Sequence, residues 1–470
     1  MLFNSLGFVV FFPIVCLLYW LLPNRLRNYF LLVASYYFYM NWEPVYALLI
    51  LFSTIVTWAC GNKISQTEKG KRKGYLVLCI TLNFAILFIY KYLNFATDSI
   101  FSFLSYLGMR MQVPKFNLLL PVGISFYTFQ AVGYTIDVYR RTIEPERYFF
   151  TYALFVSFFP QLVAGPIERA KNLLPQFHAY HVFHGENAVE GMKFMLWGYF
   201  MKLCIAGNVA PYVDAVFNNL PNHYGTSVLL ASFFFTFQIF CDFGGYSLIA
   251  IGTARCLGFN LMQNFNRPYL ATSLKEFWRR WHISLSSWFM DYVYIPLGGS
   301  RCSKYKHMRN LMITFVVSGI WHGANWTFVC WGAYHGLLVC EHEIRVRYLH
   351  IKGSVKPIMK IINIFITFIL AMVGWILFRA NSISDALLAF KTILFRHGPL
   401  FNGEGKPEIL LPLLLIAILM FKEIKDELGW KIHLMHNKNV WVSALSTALL
   451  IIVIGLCAQF ESGQFIYFQF

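Results

Sequence analysis

Apolar residues run along this chain in long blocks, broken by short polar and basic segments. A helix needs about 20 mostly apolar residues to cross a bilayer. Blocks of that kind lie near 2–22, 28–40, 45–60, 75–92, 117–136, 148–164, 191–207, 226–252, 311–340, 358–379, 407–421 and 439–458. Several are too short to span alone and read as re-entrant, so the pattern predicts about eleven spans, within about two either way. The first block lacks a basic leading region and a small-residue cleavage site, so it reads as a retained helix rather than a signal peptide. No internal repeat or low-complexity tract divides the chain. The expected class is all-α and polytopic, one integral membrane domain over residues 1–470.

Composition agrees with the pattern. The 470 residues are 58% hydrophobic and 13% charged, whereas a soluble protein carries about 25% charged residues. The 19% of aromatic residues suits lipid-facing surfaces and interfacial belts. The net charge of +17 would suggest nucleic acid in a soluble protein. In a membrane protein basic loops hold the topology and meet anionic headgroups, so the expected partner is the bilayer and no nucleic acid. The linker 61–74, with Lys63, Lys69, Lys71, Arg72 and Lys73, reads as cytoplasmic, as does 137–147 with Arg140, Arg141 and Arg147. That count places the N-terminus outside. The ten cysteines are scattered without a CxxC pair, which signals neither a zinc site nor a disulfide framework.

Four blocks mix membrane-like hydrophobicity with polar or helix-breaking residues. They are 121–139 with Gly123, Ser125, Tyr127, Gln130 and Asp137; 159–169 with Pro160, Gln161, Glu168 and Arg169; 238–247 with Asp242 before Gly244 and Gly245; and the run around His322. Irregular backbone at membrane depth is tolerated where it is buried in protein or lines a water-filled cavity. Together these blocks predict a polar cavity or tunnel, although each alone fits plain interhelical hydrogen bonding. His322, in Trp321-His322-Gly323, is the strongest single candidate for chemistry, because an imidazole is costly to bury and titrates near neutral pH.

A second imidazole, His282, lies in the segment 272–292. Ser273 and Glu276 fit a capping box that opens a helix. Leu274, Phe277, Trp278, Trp281, Leu285, Trp288 and Tyr292 form an apolar stripe at helical spacing, and Lys275, Arg279, His282 and Ser286 form another face. The spacing predicts one interfacial amphipathic helix, with its tryptophans in the apolar layer. It fits a plain membrane-surface helix. It also fits a site where Arg279, Arg280 and Trp281 receive an anionic donor such as coenzyme A or a carrier's phosphopantetheine, with His282 turned into the tunnel.

His178, His181 and His184 are spaced by three, but no clear carboxylate or thiol accompanies them, so no metal site is expected. His335 shares the 311–340 block and reads as a packing or hydrogen-bonding residue. No phosphate-binding loop, nucleotide fingerprint or nucleophile elbow is present. One imidazole could take a proton from a hydroxyl attacking an activated acyl carbon, while the other orients the thioester, stabilises its oxyanion or positions the acceptor. A proton-coupled transporter would use the same residue types, and a membrane scaffold would need neither. The residues alone leave all three open.

Short segments carry a further likeness. They are Ser35-Tyr36-Tyr37-Phe38-Tyr39, Pro121-Val122-Gly123-Ile124-Ser125-Phe126-Tyr127-Thr128-Phe129-Gln130, Phe159-Pro160-Gln161-Leu162-Val163-Ala164-Gly165-Pro166-Ile167 and Asp242-Phe243-Gly244-Gly245-Tyr246-Ser247. Asn266-Arg267-Pro268-Tyr269, Phe277-Trp278-Arg279-Arg280-Trp281-His282 and Trp321-His322-Gly323 continue the series. In these the chain resembles the membrane-bound O-acyltransferases of the alginate O-acetyltransferase type. The motif-bearing part is 1–380; the C-terminal helices in 400–470 carry no such motif.

The resemblance implies transmembrane, re-entrant and interfacial helices around a central funnel or tunnel. It implies that His322 is the catalytic histidine and that His282 matches a second motif position, which is Asn or Asp in more distant branches. It also implies acyl transfer, foremost of acetyl, from a cytoplasmic thioester (acetyl-CoA or an acyl carrier) towards a hydroxyl of an exported cell-surface polysaccharide, as in alginate O-acetylation. No tightly bound cofactor is implied. The implied partners are a periplasmic or extracellular SGNH-type acetyltransferase and polysaccharide export proteins, at a bacterial cytoplasmic membrane. The alternative within the family is D-alanyl transfer to teichoic acid from a carrier protein.

Overall fold

The computed structural model describes residues 1–109, 112–163, 165–350, 356–402, 409–460 and 466. Ala164 of the 159–167 motif and parts of the C-terminal stretch (403–408, 461–465 and 467–470) lie outside them. All regular structure among the described residues is helical. Hydrocarbon offers the backbone no hydrogen-bond partners, and a helix satisfies its own. Among the described residues, six helices are long and apolar enough to cross a membrane: Pro44–Gln66, Arg72–Tyr106, Gly185–Phe217, Gly225–Cys256, Pro357–Arg379 and Val440–Cys457. Leu6–Leu21 is a shorter apolar helix. The chain is thus an all-α polytopic membrane protein.

Residues 1–192 with 250–262 form one compact unit, and 193–249 with 263–470 form another. In the first unit, helix Ile124–Tyr139 starts at Gly123, whose φ of 73° is left-handed. Its buried Gln130 donates Nε2 to the Phe155 carbonyl at 2.6 Å. The 148–164 block is broken, as its polar residues predict. Helix Phe149–Ser157 stops and a single turn, Phe159–Leu162, follows with Pro160 at its start. Buried Glu168 accepts Asn172 Nδ2 at 2.7 Å and the Met262 amide. His178 and His181 turn to separate partners, Glu146 Oε2 and the Gln176 carbonyl, each at 2.7 Å.

The second unit corrects two readings of the sequence. The block 311–340 is two helices, Lys304–His322 and Trp326–Glu343. Gly323 is extended and Asn325 caps the second helix by accepting the Thr327 amide at 3.1 Å. His322 therefore ends a helix at a hairpin turn. The two helices touch where Gly319 faces the Phe328 carbonyl and Gly332 faces the Phe315 carbonyl; a Cβ on either glycine would come closer than 3.0 Å. Only a residue without a side chain permits that approach.

The segment 272–292 is likewise interrupted. Leu274–Arg280 and Ile283–Phe289 are separate helices, with Trp281 and His282 between them. The apolar stripe does not lie on lipid either: Leu274, Phe277, Trp281, Leu285 and Trp288 are all buried within the protein. A 3.6-residue period marks an apolar face without saying whether lipid or protein covers it.

Candidate functional site

His282 and His322, 40 positions apart in the chain, come together in the second unit. Their ring centroids are 6.5 Å apart at 59°, and the residues are 0% and 3% exposed. His322 arrives at the end of its helix. Its ring meets Trp331 edge-on at 4.9 Å and Phe378 at 5.5 Å. His282 arrives through backbone geometry. Its φ of 44° and ψ of 54° place it in the left-handed region, a conformation that costs a non-glycine residue about 1–3 kcal/mol and persists only where the surroundings impose it. The reversal ends one short helix and starts another, and so turns the imidazole inward.

Two neighbours impose that turn. The Asn264 carbonyl accepts the Ile283 amide at 2.9 Å, and the Arg280 carbonyl accepts the Asn266 amide at 2.8 Å. The His282 ring then packs edge-on against Phe243 at 4.5 Å and faces Trp321 at 6.2 Å. Phe243 belongs to the Asp242–Ser247 motif. In that motif buried Asp242 pairs with Lys202 and accepts the Ile466 amide at 2.8 Å. Four residues after Phe243, one helical turn away, Ser247 accepts Asn264 Nδ2 at 3.1 Å. The motif thus anchors itself by an ion pair, walls His282 with a ring and holds Asn264 with a hydroxyl. The sequence reading missed Asn264. Its one signal was its place two residues before the Asn266–Tyr269 motif.

Arg279, Arg280 and Trp281 separate. Arg279 is exposed and makes no ion pair among the described residues. Arg280 grips Glu427 with both Nη1 and Nη2, each at 3.0 Å, and donates Nη2 to Glu276 at 2.6 Å. Such a two-pronged pair is a strong, orienting contact. Arg267 Nε adds a fourth charge to the cluster, 2.8 Å from Glu427. The Arg280 guanidinium, ahead of Arg267, holds the Glu427 carboxyl below its ordinary range. For Glu276, burial pushes the carboxyl up, but Thr272 and Arg280 outweigh it and the net shift is downward. Trp281 is 1% exposed, stacked on Phe277 at 5.4 Å and against Trp375 at 4.8 Å. Arg280 and Trp281 are therefore built into the protein, and Arg279 faces outward. His335 is also buried, edge-on to Trp278 and Trp331, each at 5.0 Å.

A buried imidazole pair walled by aromatic rings can accept and hand on a proton with little competition from water. Comparison with known proteins narrows what such a pair could serve. The profile of the membrane-bound O-acyltransferase family matches residues 147–383, the stretch that holds both histidines. A probable alginate O-acetylase of Azotobacter vinelandii is 39% identical over 392 residues, 82% of this chain and 76% of that protein. A peptidoglycan O-acetyltransferase of Helicobacter pylori is 31% identical over 100% of this chain and 98% of its own length. A teichoic acid D-alanyltransferase of Streptococcus thermophilus is 26% identical over 73% of this chain and 89% of that protein.

Proposed function

The chain belongs to the membrane-bound O-acyltransferase family and is an acyltransferase, and from that premise we propose that it moves an acetyl group from a cytoplasmic thioester to a hydroxyl of an exported cell-surface glycan. The observation that carries this reading is the pair of buried histidines 6.5 Å apart within the matched region. In the step, His322 takes the proton of the acceptor hydroxyl as its oxygen attacks the acyl carbon. The carbon–sulfur bond breaks and the thiolate leaves. The imidazolium returns the proton to sulfur, so the products are an ester and a free thiol. General-base help of this kind is worth about 10²–10⁴ in rate, and holding donor and acceptor together contributes a further ~7–11 kcal/mol. Arg279 is the exposed cation suited to the anionic groups of the donor. Export proteins would move the glycan, and a periplasmic SGNH-type enzyme would pass the acetyl group on where its own hydroxyl, rather than the glycan's, is the first acceptor.

Peptidoglycan is a second acceptor to weigh, because the peptidoglycan O-acetyltransferase matches this chain end to end while the alginate relative spans 82% of it. The test is the ester-linked acetate of purified wall and exopolysaccharide from cells carrying wild type or His322→Ala. Loss from one glycan with the variant still inserted identifies the acceptor. Unchanged acetate in both would overturn the assignment of His322.

A further inference from the structure

We propose that Asn264 is a positioning residue that fixes neutral His282 in its Nδ1–H tautomer, so that Nε2 is the lone-pair nitrogen. His282 then accepts a hydrogen bond from a polyhydroxylated acceptor instead of donating one to the thioester oxygen. The role given to His282 rests on the acyl-transfer reading above; the tautomer does not.

The argument starts from the amide. Asn264 Oδ1 lies 3.1 Å from His282 Nδ1, 2.9 Å from Ser284 Oγ and 3.3 Å from the Ser284 backbone nitrogen. A backbone N–H can only donate, so the amide atom facing it must be the oxygen. A flipped amide would set its NH₂ against that N–H, donor to donor. The remaining group is also placed, since Asn264 Nδ2 donates to Ser247 Oγ at 3.1 Å. A carbonyl oxygen has no proton to give, so the hydrogen on the His282–Asn264 contact belongs to Nδ1; Ser284 Oγ, 3.5 Å from Nδ1, lies closer to Asn264 Oδ1, at 2.9 Å, and gives its proton there. Asn264 also holds the peptide after His282 through its own carbonyl, at 2.9 Å from the Ile283 nitrogen. Asn264 therefore shares in holding the left-handed turn and sets the protonated nitrogen.

A neutral imidazole in that tautomer cannot serve a developing oxyanion, because Nε2 has no proton to offer. It suits a hydroxyl: the one that is attacked, or its neighbour on a sugar ring.

The test uses the full chain with ¹⁵N-labelled histidine in lipid nanodiscs. The resonance pair lost in His282→Gln identifies His282. The expected spectrum shows a protonated Nδ1 and an unprotonated Nε2; a protonated Nε2 in the neutral ring overturns the proposal. Asn264→Leu, which removes the acceptor at similar size, is expected to mix the two tautomers, and an unmixed Nδ1–H signal there overturns the role of Asn264. Asn264→Asp keeps an acceptor and adds a charge that favours imidazolium. With labelled acetyl-CoA and an alginate oligosaccharide as probes, the acid limb of its rate profile should move to higher pH. An unmoved limb counts against the contact. His322→Ala separates the two ideas: transfer that persists there sinks the assignment of His322 as the base, while the spectra still decide the tautomer.

Discussion

Gly323→Ala tests whether the hairpin turn positions His322. The φ of Gly323 is −164°, extended backbone that any residue adopts, so an added methyl meets no conformational penalty of its own. It meets Phe328. A Cβ on residue 323 would lie 2.8 Å from Phe328 Cζ and closer still to two other ring atoms. Phe328 has little room to retreat, being 3% exposed and edge-packed on Phe378 at 4.9 Å. Phe378 in turn stands 5.5 Å from the His322 ring. Overpacking of this kind costs about 1–3 kcal/mol, while replacing glycine gains about 0.4–1 kcal/mol from the unfolded chain. The net expectation is a loss of about 1–2 kcal/mol. Function should suffer more, because displacing a reacting group by about 1 Å costs up to ~10² in rate. Acetyl transfer in proteoliposomes should therefore fall by about 10- to 100-fold. Gly323→Ala with Phe328→Leu should recover part of both losses, giving a coupling that a double-mutant cycle measures. A single variant with the wild-type rate and unfolding midpoint would refute the reasoning.

Two further perturbations probe the surrounding charges. Glu427→Gln removes the anion shared by Arg280 and Arg267; because the Glu427 pKa is depressed from its ordinary 4.5, its stabilisation is present above that value and is lost as pH falls through the folded pKa. The wild-type unfolding midpoint should drop below about pH 4.5 more steeply than that of the variant, and parallel curves would contradict the pairing. Lys202→Met leaves Asp242 buried without its cation and should cost about 3–5 kcal/mol. The double variant Lys202→Met/Asp242→Leu should recover most of that by chemical denaturation, and equal losses would show that the ion pair is not what holds the motif.

His322 stood out in the sequence because an ionisable ring in an apolar run is anomalous on composition alone, and His282 through the basic face it shares with Lys275 and Arg279. The all-α membrane class was legible from block length and hydrophobicity. The backbone events that bring the rings together were not. Nothing in the period of Leu274, Phe277, Trp281 and Leu285 marks the reversal at His282, because two short helices can carry one continuous stripe. The hairpin after His322 was masked in the same way, since Gly323 and Ala324 are as apolar as the helices they join; only Asn325, a good cap, hinted at a new start. Asn264 was hidden for a different reason. An asparagine among polar neighbours carries no signal until the fold shows what its amide faces. The arginines were legible as cations but not as partners, because Glu427 lies far along the chain, in a stretch without motifs.

The left-handed backbone at position 282 also acts as a filter on chemistry. Among side chains with polar function, asparagine, aspartate and histidine enter that region with the least resistance, while β-branched and bulky residues are turned away. The position therefore draws most readily on a short alphabet. That alphabet contains the Asn and Asp that the family resemblance gives for this position in more distant branches, together with the His found here. The turn that aims the ring selects which functional groups can stand there at all. A redesign that keeps the turn can exchange an imidazole for an amide or a carboxylate. Any wider change of chemistry must first rebuild the loop.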